Sequence, residues 1–281
     1  MKEFNSFPLT RYAATVANTL GLPAPEKADP AIDWVVEALK CLSKGGFDRL
    51  FIQNPDAVGM WLWQKYPDAF APVLKNTQVT IPFASPMPTV TPVCFGTMYT
   101  GVLPAVHGIE KYEKKLIPVD TLFDVLLRAG KKIAMVTTES SSMANIFKDR
   151  AIDFYHIRPE GEIVTKSQEL ICRDEYDVII TYTYRVDYDN HRVGIGPNDP
   201  RVVNAIYNQA VYFDELVSTI RRFWKKHNTL VAFSPDHGMH EQDETHEQRG
   251  SHGLNIPQDV NILHYLGVVR GSETPGFEDY I

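Results

Sequence analysis

Residues 230–239 read Leu-Val-Ala-Phe-Ser-Pro-Asp-His-Gly-Met. Four consecutive apolar residues followed by two turn-forming residues predict a buried strand that ends just before Asp236. An aspartate and a histidine side by side at the end of a strand offer one oxygen and one nitrogen ligand, a mixture that zinc accepts. The stretch therefore predicts a metal-ligating pair, Asp236 and His237, at the edge of a sheet.

Other short apolar runs occur along the chain, and helical patterns separate them. The runs cover 49–52, 133–136 and 178–181, and the helical patterns cover 30–43 (with Asp29 as N-cap), 121–129, 143–148 and 201–226. Strands that alternate with amphipathic helices are typical of a mostly parallel sheet with helices on both faces. We therefore expect an α/β fold, a three-layer sandwich, built as a single domain over residues 1–281, in which 139–175 could supply a small lid.

Candidate ligands follow three of the predicted strands. Asp56 comes soon after the first run, and Asp187 and His191 come soon after the third. Because the carboxyl ends of parallel strands meet at one edge of a sheet, we expect these side chains near Asp236 and His237. Asp187 and His191 are four residues apart, so their side chains face the same way on a helix.

A second informative segment begins at Thr91. Pro92 is favoured at the first position of a helix, and Gly101 suits the end of that helix. Thr91 would then be the N-cap, where unpaired N–H groups and the helix dipole favour an anion. A threonine hydroxyl is a poor nucleophile at neutral pH unless a metal lowers its pKa. Either Thr91 only caps a helix, or it is a nucleophile that depends on the metal ligands.

Composition and charge exclude several other classes of protein. With 44% hydrophobic residues among 281, the chain can form a large core. Its net charge is −7 and its Lys/Arg runs are at most two residues long, so no nucleic-acid polymer is expected as a partner. The three widely spaced cysteines, Cys41, Cys94 and Cys172, fit a reducing compartment. Without a signal-peptide pattern or an apolar run of about 18–20 residues, we expect a cytoplasmic protein with no membrane partner.

Five motifs in order resemble those of the alkaline phosphatase superfamily, in its nucleotide pyrophosphatase/phosphodiesterase branch; the related phosphonoacetate hydrolases are also similar. They spread over most of the chain. The motifs are Asn54-Pro55-Asp56, residues 87–109, Asp187-Tyr188-Asp189-Asn190-His191, Pro235-Asp236-His237-Gly238-Met239 and Gly250-Ser251-His252-Gly253.

The resemblance implies two divalent metal ions, best matched by zinc, with manganese or iron as alternatives. One would be held by Asp187, His191 and His252; the other would be held by Asp56, Asp236 and His237, with Thr91 at or near it. Asp189 is the alternative to Asp187. His107 would lie in a turn after the nucleophile helix and have a structural role.

The resemblance also implies hydrolysis of a small phosphodiester or nucleotide pyrophosphate bond through a phospho-threonine intermediate at Thr91. The family usually has an asparagine three residues later; here that residue is Cys94, a weaker donor. The N–H of Cys94 or of a neighbour at the helix start would stabilise charge on the transferring group. Tyr182, Tyr184 and Arg185 are further candidates for contact with the substrate, a small phosphorus ester or nucleotide. A phosphonate (C–P) hydrolase, a phosphomonoesterase and a non-catalytic metal- or nucleotide-binding protein remain the alternatives, and the oligomeric state is open.

Overall fold

The strands of the protein form a large central sheet and a separate two-stranded ribbon. The structure is a computed structural model that describes residues 3–195, 200–243 and 245–271. The sheet has eight strands in the spatial order β1-β3-β10-β7-β2-β6-β4-β5, and the ribbon consists of β8 and β9. The strands are β1 (Phe7–Pro8), β2 (Arg49–Pro55), β3 (Val79–Ala84), β4 (Ile133–Thr137), β5 (Asp153–His156), β6 (Val178–Thr183), β7 (Thr229–Phe233), β8 (His240–Glu241), β9 (Gly250–Ser251) and β10 (Asn261–Val269).

The large sheet is mostly parallel, as predicted. Strand β10 runs antiparallel to both of its neighbours, β3 and β7, whereas the other adjacent pairs in this sheet are parallel. Because β10 reverses direction between β3 and β7, these two strands point the same way. The carboxyl ends of β2, β3, β6 and β7 therefore lie at one edge of the sheet.

Helices cover both faces of the sheet. They are α1 (Tyr12–Thr19), α2 (Asp33–Ser43), α3 (Met60–Lys65), α4 (Ala71–Leu74), α5 (Thr91–Thr100), α6 (Pro104–His107), α7 (Leu122–Arg128), α8 (Ser142–Phe147), α9 (Glu160–Arg173), α10 (Arg185–Val193), α11 (Arg201–Phe223) and α12 (Pro257–Val260). Side chains alternate across the sheet: Leu50 and Ile52 belong to the core with α1, α2, α5, α7 and α8, whereas Phe51 belongs to the core with α9 and α11. The predicted three-layer α/β sandwich is confirmed.

The helix predicted over 30–43 begins later than the sequence pattern indicates. Its first residue is Asp33 and its N-cap is Ile32, so the prediction of Asp29 as N-cap is wrong. The Asp29 carboxylate instead accepts a hydrogen bond from Thr10. The backbone N–H of Asp29 donates to the Gly101 carbonyl at 2.9 Å. These tertiary contacts occupy the aspartate that would otherwise cap the helix.

Much of the range 139–175 is part of the sandwich. It contains α8, β5 and α9, and β5 pairs with β4 as the last strand of the sheet. A lid within this range and the single-domain organisation stay predictions. Among the helices of the described ranges, none is both long and apolar enough to cross a membrane.

Candidate metal centre

Several strand ends and one ribbon deliver the predicted ligands to the same edge of the sheet. Asp56 directly follows β2, α10 follows β6, and Asp236 and His237 lie shortly after β7. His252 comes directly after the ribbon strand β9. The structure gathers these side chains into two groups whose ligand atoms lie within 4.8 Å of one another, namely Asp187, His191 and His252 in the first group and Asp56, Asp236 and His237 in the second group.

The first group is centred on one carboxylate oxygen. Asp187 Oδ1 lies 3.3 Å from His191 Nε2 and 3.4 Å from His252 Nε2. The other ring nitrogens face backbone carbonyls: His191 Nδ1 lies 2.9 Å from Gly250 O, and His252 Nδ1 lies 2.7 Å from Thr89 O. An Nδ1–H that donates to a carbonyl leaves the Nε2 lone pair free, which is the tautomer that a metal requires.

The second group surrounds the imidazole of His237. Its Nε2 lies 3.4 Å from Asp56 Oδ1 and 3.4 Å from Asp236 Oδ2, and its Nδ1 lies 2.9 Å from Gly238 O. Thr91 Oγ1 lies 3.5 Å from both Asp56 Oδ2 and His237 Nε2. The threonine hydroxyl is therefore adjacent to the second group.

Three buried carboxylate oxygens of these groups have no hydrogen-bond partner within the described ranges. They are Asp56 Oδ1, Asp187 Oδ1 and Asp236 Oδ2, the same atoms that lie nearest the histidine nitrogens. An uncompensated buried charge costs several kcal/mol, and a divalent cation would compensate it. Two nitrogens with one oxygen, or one nitrogen with two oxygens, suit zinc, manganese or iron. The residues present fit a pair of such ions.

The protonation equilibria of the two groups differ. Burial, together with Asp236 and Asp187, raises the pKa of Asp56 well above its usual range, and burial also raises the pKa of Asp236. Burial opposes ionisation of Asp187 too, but the nearby imidazoles outweigh it and hold the pKa of that carboxyl below its usual range. Burial and the proximity of His237 lower the pKa of His252 to about 3. His252 is therefore neutral near pH 7, as a metal ligand must be.

The helix that presents Thr91 starts one residue earlier than predicted. Val90, with extended φ and ψ angles of −126° and 145°, is the N-cap, so Thr91 is the first helical residue. Pro92 has no N–H, and the N–H groups of Val93 and Cys94 both donate to Val90 O at 3.0 Å. The Cys94 N–H is thus occupied within the helix. Thr91, as the first helical residue, has an N–H with no acceptor within its own helix.

A cavity of about 460 Å³ opens beside both groups. Tyr184 lines it, as expected. Cys94 and Arg185 do not line it: the Cys94 side chain is fully buried in the core below, and Arg185 forms an ion pair of 2.7 Å with Asp189 beside a different cavity. The lining residues are Asp56, Thr91, Tyr112, Lys114, Thr138, Ser140, Ser141, Ser142, Tyr182, Tyr184, Asp187, His191 and His252.

Part of this cavity wall was not predicted from the sequence. Tyr112 and Lys114 come from the loop after α6, and the Lys114 ammonium donates to the Ser140 carbonyl. That loop has no periodic pattern of apolar residues, so nothing in the sequence indicated that it lines the cavity. Tyr182 was anticipated as a lining residue, but its bond to a ligand was not: its hydroxyl donates to Asp56 Oδ2.

Two glycines allow the motifs to pack closely. A Cβ added at Gly238 would overlap the Gln258 carbonyl, and one added at Gly250 would overlap the side chain of Asn190 on α10. The close approach at Gly250 brings its carbonyl to His191. Each motif therefore has a glycine where a main-chain or side-chain group next to a ligand leaves no room for a Cβ.

Part of the chain is similar to a known family of proteins. Residues 119–255 match the family model described as type I phosphodiesterase / nucleotide pyrophosphatase. This part of the chain is thus similar to the type I phosphodiesterases / nucleotide pyrophosphatases. The matched range contains the first group together with Asp236 and His237, whereas Asp56 and Thr91 lie before it. A relation of the chain to phosphonoacetate hydrolases stays a prediction.

Solved structures share the fold. Murine ectonucleotide pyrophosphatase / phosphodiesterase 5 matches with a TM-score of 0.55 and 18% identity, over 70% of this chain and 59% of that chain. Its inactive threonine-to-alanine variant, in complex with AMP, matches with the same values. The human protein of the same name matches over the same shares with a TM-score of 0.55 and 16% identity. The chain thus spans about three fifths of the length of these structures. No curated protein matches it.

Proposed function

We propose that the protein hydrolyses a small phosphodiester or a nucleotide pyrophosphate bond, with Thr91 as the nucleophile and two divalent metal ions as cofactors. The observation that carries this proposal is the position of Thr91 Oγ1, 3.5 Å from Asp56 and from His237, in a cavity that the first group also lines. The match to the phosphodiesterase family supports the same reaction class.

The two groups of ligands would hold one ion each. Zinc is the proposed metal, because both groups combine imidazole nitrogen with carboxylate oxygen in a compact cluster. When bound, the ions would lower the pKa of the attacking hydroxyl and neutralise the charge of the phosphoryl oxygens.

The residues of the chain then suggest a two-step displacement. In the first step Thr91 Oγ1 forms a bond to phosphorus while the bond from phosphorus to the leaving oxygen breaks, which gives a phospho-threonine. Asp56 Oδ2, 3.5 Å away, is within reach of the hydroxyl proton. The Thr91 N–H, at the start of α5, would donate to a negatively charged phosphoryl oxygen. In the second step the oxygen of a water molecule forms a bond to phosphorus, the bond from phosphorus to Thr91 Oγ1 breaks, and a proton from that water restores the hydroxyl.

The cavity supports a small substrate. Its volume of about 460 Å³ lies within the range of small-molecule sites, roughly 300–1,000 Å³. A nucleotide or another small phosphorus ester is therefore the proposed partner, without a nucleic-acid polymer, and the AMP complex of the murine protein supports a nucleotide. The free cysteines Cys41, Cys94 and Cys172 support the cytoplasmic location that we also propose.

Metal analysis followed by a substrate panel tests the function. The purified protein would be loaded with zinc, manganese or iron and assayed with bis-p-nitrophenyl phosphate, p-nitrophenyl phosphate, phosphonoacetate and a dinucleoside pyrophosphate. We expect two metal ions per chain and the fastest turnover on the diester or the pyrophosphate. Faster turnover of the monoester or of phosphonoacetate would support the corresponding alternative. No turnover with both sites loaded would instead indicate a binding protein.

A further inference from the structure

The helix that carries two of the candidate ligands is capped by a residue from another helix. Helix α10 bears Asp187 and His191, but the side chain of its N-cap residue, Tyr184, makes no capping hydrogen bond. Glu160, at the start of α9, takes this role. Its Oε1 accepts hydrogen bonds from the N–H groups of Tyr184 at 2.6 Å and Arg185 at 2.7 Å.

Glu160 is itself held firmly. The residue is only 7% exposed, and its Oε2 accepts a hydrogen bond of 2.9 Å from the Gln209 side chain on α11. The Gln209 carbonyl in turn accepts a hydrogen bond of 2.9 Å from the side chain of Gln53, which lies on β2 three residues before Asp56. A buried series of hydrogen bonds thus connects α10 through α11 to β2, the strand that ends just before Asp56 of the second group.

The charge of Glu160 suits its position. The N-terminus of a helix carries a partial positive charge, and a carboxylate that accepts two backbone N–H groups there is stabilised by both the dipole and the hydrogen bonds. Asp187 is only two residues beyond Arg185, within the first turn. Any displacement of that turn would therefore move the Asp187 carboxylate relative to His252 on the ribbon.

We propose that Glu160 is a positioning residue of the metal centre, which fixes the first turn of α10 and so sets Asp187 and His191 against His252. This inference rests on the proposed function, because it assigns Glu160 a part in building the first metal site. Glu160 touches neither the metal ligands' side chains nor the cavity beside Thr91, so it acts through the helix backbone.

Glu160→Gln is the informative substitution. Both carboxylate oxygens of Glu160 accept hydrogen bonds from donors, so an amide at this position must turn its NH₂ group toward one of those donors. The substitution also removes the charge at the helix N-terminus. Glu162→Gln is the matched control, because Glu162 lies in the same first turn of α9 and is exposed.

Zinc affinity is the readout, measured by competition with a chromophoric chelator. The first group is measured alone in an Asp236→Ala background, and the second group alone in a His252→Ala background. We expect Glu160→Gln to weaken zinc binding at the first group about 10-fold, as loss of an outer orienting partner does, and to leave the second group unchanged. Glu162→Gln should change neither. Unchanged binding at the first group, or equal weakening at both groups, would overturn the role of Glu160.

The outcomes also separate the two proposals. If the unsubstituted protein bound no zinc at either group, the proposed function would fail and the role of Glu160 with it. If two ions bound normally and Glu160→Gln left the first group unaffected, only the role of Glu160 would fail. Should Glu160→Gln not fold, Glu160→Asp keeps the charge on a shorter side chain that cannot reach all three donors. We expect it to weaken the first group selectively; equal weakening of both groups, or none, would overturn the proposal.

Discussion

The imidazole rings of His237 and His252 lie 4.2 Å apart, centroid to centroid, although the two residues belong to different ligand groups. The His252 ring also lies 5.1 Å from the ring of His191, so it neighbours both of the other histidines. Because the His252 Nδ1 contacts Thr89 O, close to Thr91, His252 connects the first group to the segment that carries the proposed nucleophile. Its removal is therefore a direct test of the first site.

His252→Ala should empty the first site and leave the second occupied. The substitution removes one of three ligands, so we expect a loss of affinity greater than the roughly 10–100-fold that outer partners contribute. Metal content per chain, measured by mass spectrometry after dialysis, would fall from two ions to one. His246→Ala, in an exposed loop, is the control. Two tightly bound ions in the His252 variant would contradict the assignment.

Thr91→Ala should abolish turnover while both ions remain bound. Without the hydroxyl there is no group to form the phospho-threonine, and we expect kcat to fall by at least about 10³-fold. The change is read from turnover of bis-p-nitrophenyl phosphate together with metal content. Thr91→Ser keeps a hydroxyl and should retain measurable activity. Undiminished turnover by the alanine variant would remove Thr91 as the nucleophile.

Tyr182→Phe should weaken metal binding at the second site and shift it to higher pH. The Tyr182 hydroxyl donates to Asp56 Oδ2 and so favours the carboxylate, whereas burial raises the pKa of Asp56. Without the donor that pKa rises further, and Asp56 must still lose its proton to bind a cation. Zinc affinity measured between pH 5 and pH 8 in the His252→Ala background would show the shift. Tyr188→Phe, exposed on α10, should show none.

Gly250→Ala should destabilise the fold and disturb the first site. The added methyl group would overlap the Asn190 side chain, and relief of that overlap moves the Gly250 carbonyl away from His191. Overpacking of this kind costs about 1–3 kcal/mol of unfolding free energy. Urea denaturation of the metal-free protein measures it. Gly161→Ala in α9, where a methyl group meets nothing within 4 Å, should be neutral or slightly stabilising; equal stability of both variants would contradict this packing.

Acid should destabilise the protein in part through His107. Burial lowers the pKa of His107 from 6.5 to about 4, so between these values the unfolded chain binds a proton that the folded chain does not. The associated stability is present above pH 6.5 and is lost as the pH falls to 4, by up to about 3 kcal/mol. His107→Gln should show a shallower decline in unfolding free energy over this interval. An identical decline in both proteins would contradict a buried neutral imidazole.

Much of the sandwich followed from local patterns. The four predicted apolar runs all lie in strands of the sheet, and the helices expected over 121–129, 143–148 and 201–226 are present as α7, α8 and α11. Gly101 ends α5 in a left-handed conformation with a φ of 76°, as its residue type suggested. These elements were visible because each depends on the spacing of its own apolar residues or on one special backbone angle.

Strands β3 and β10 were not anticipated. Proline within a run argues against a strand, and β3 contains Pro82. Strand β1 pairs only with Phe83 and Ala84, so Pro82 lies beside an unpaired stretch of β3 on that side. The antiparallel direction of β10 is likewise a tertiary property, since an alternation of strands and helices predicts parallel neighbours.

The site was predictable to the extent that its chemistry depends on residue type. Carboxylates and imidazoles at strand ends are the residue types that a metal site needs, so the six proposed ligands could be selected from the sequence. The structure brings all six together. Their role as ligands stays a proposal. The supporting contacts were not visible. Glu160 and Gln209 lie 49 residues apart in the sequence. From the sequence alone, each is predicted to be a polar residue on the exposed face of an amphipathic helix. The burial that gives them a role exists only in the folded chain.

Gly238 explains why such a centre can be detected in a sequence at all. Asp236 and His237 would by themselves form a dipeptide that arises often by chance. The main chain of α12 comes so near at the next position that no side chain fits there. The steric requirement for glycine at position 238 therefore extends the dipeptide to a longer and more specific motif. Asp236 and His237 can be recognised in the sequence because of a neighbouring glycine that is not itself a proposed ligand.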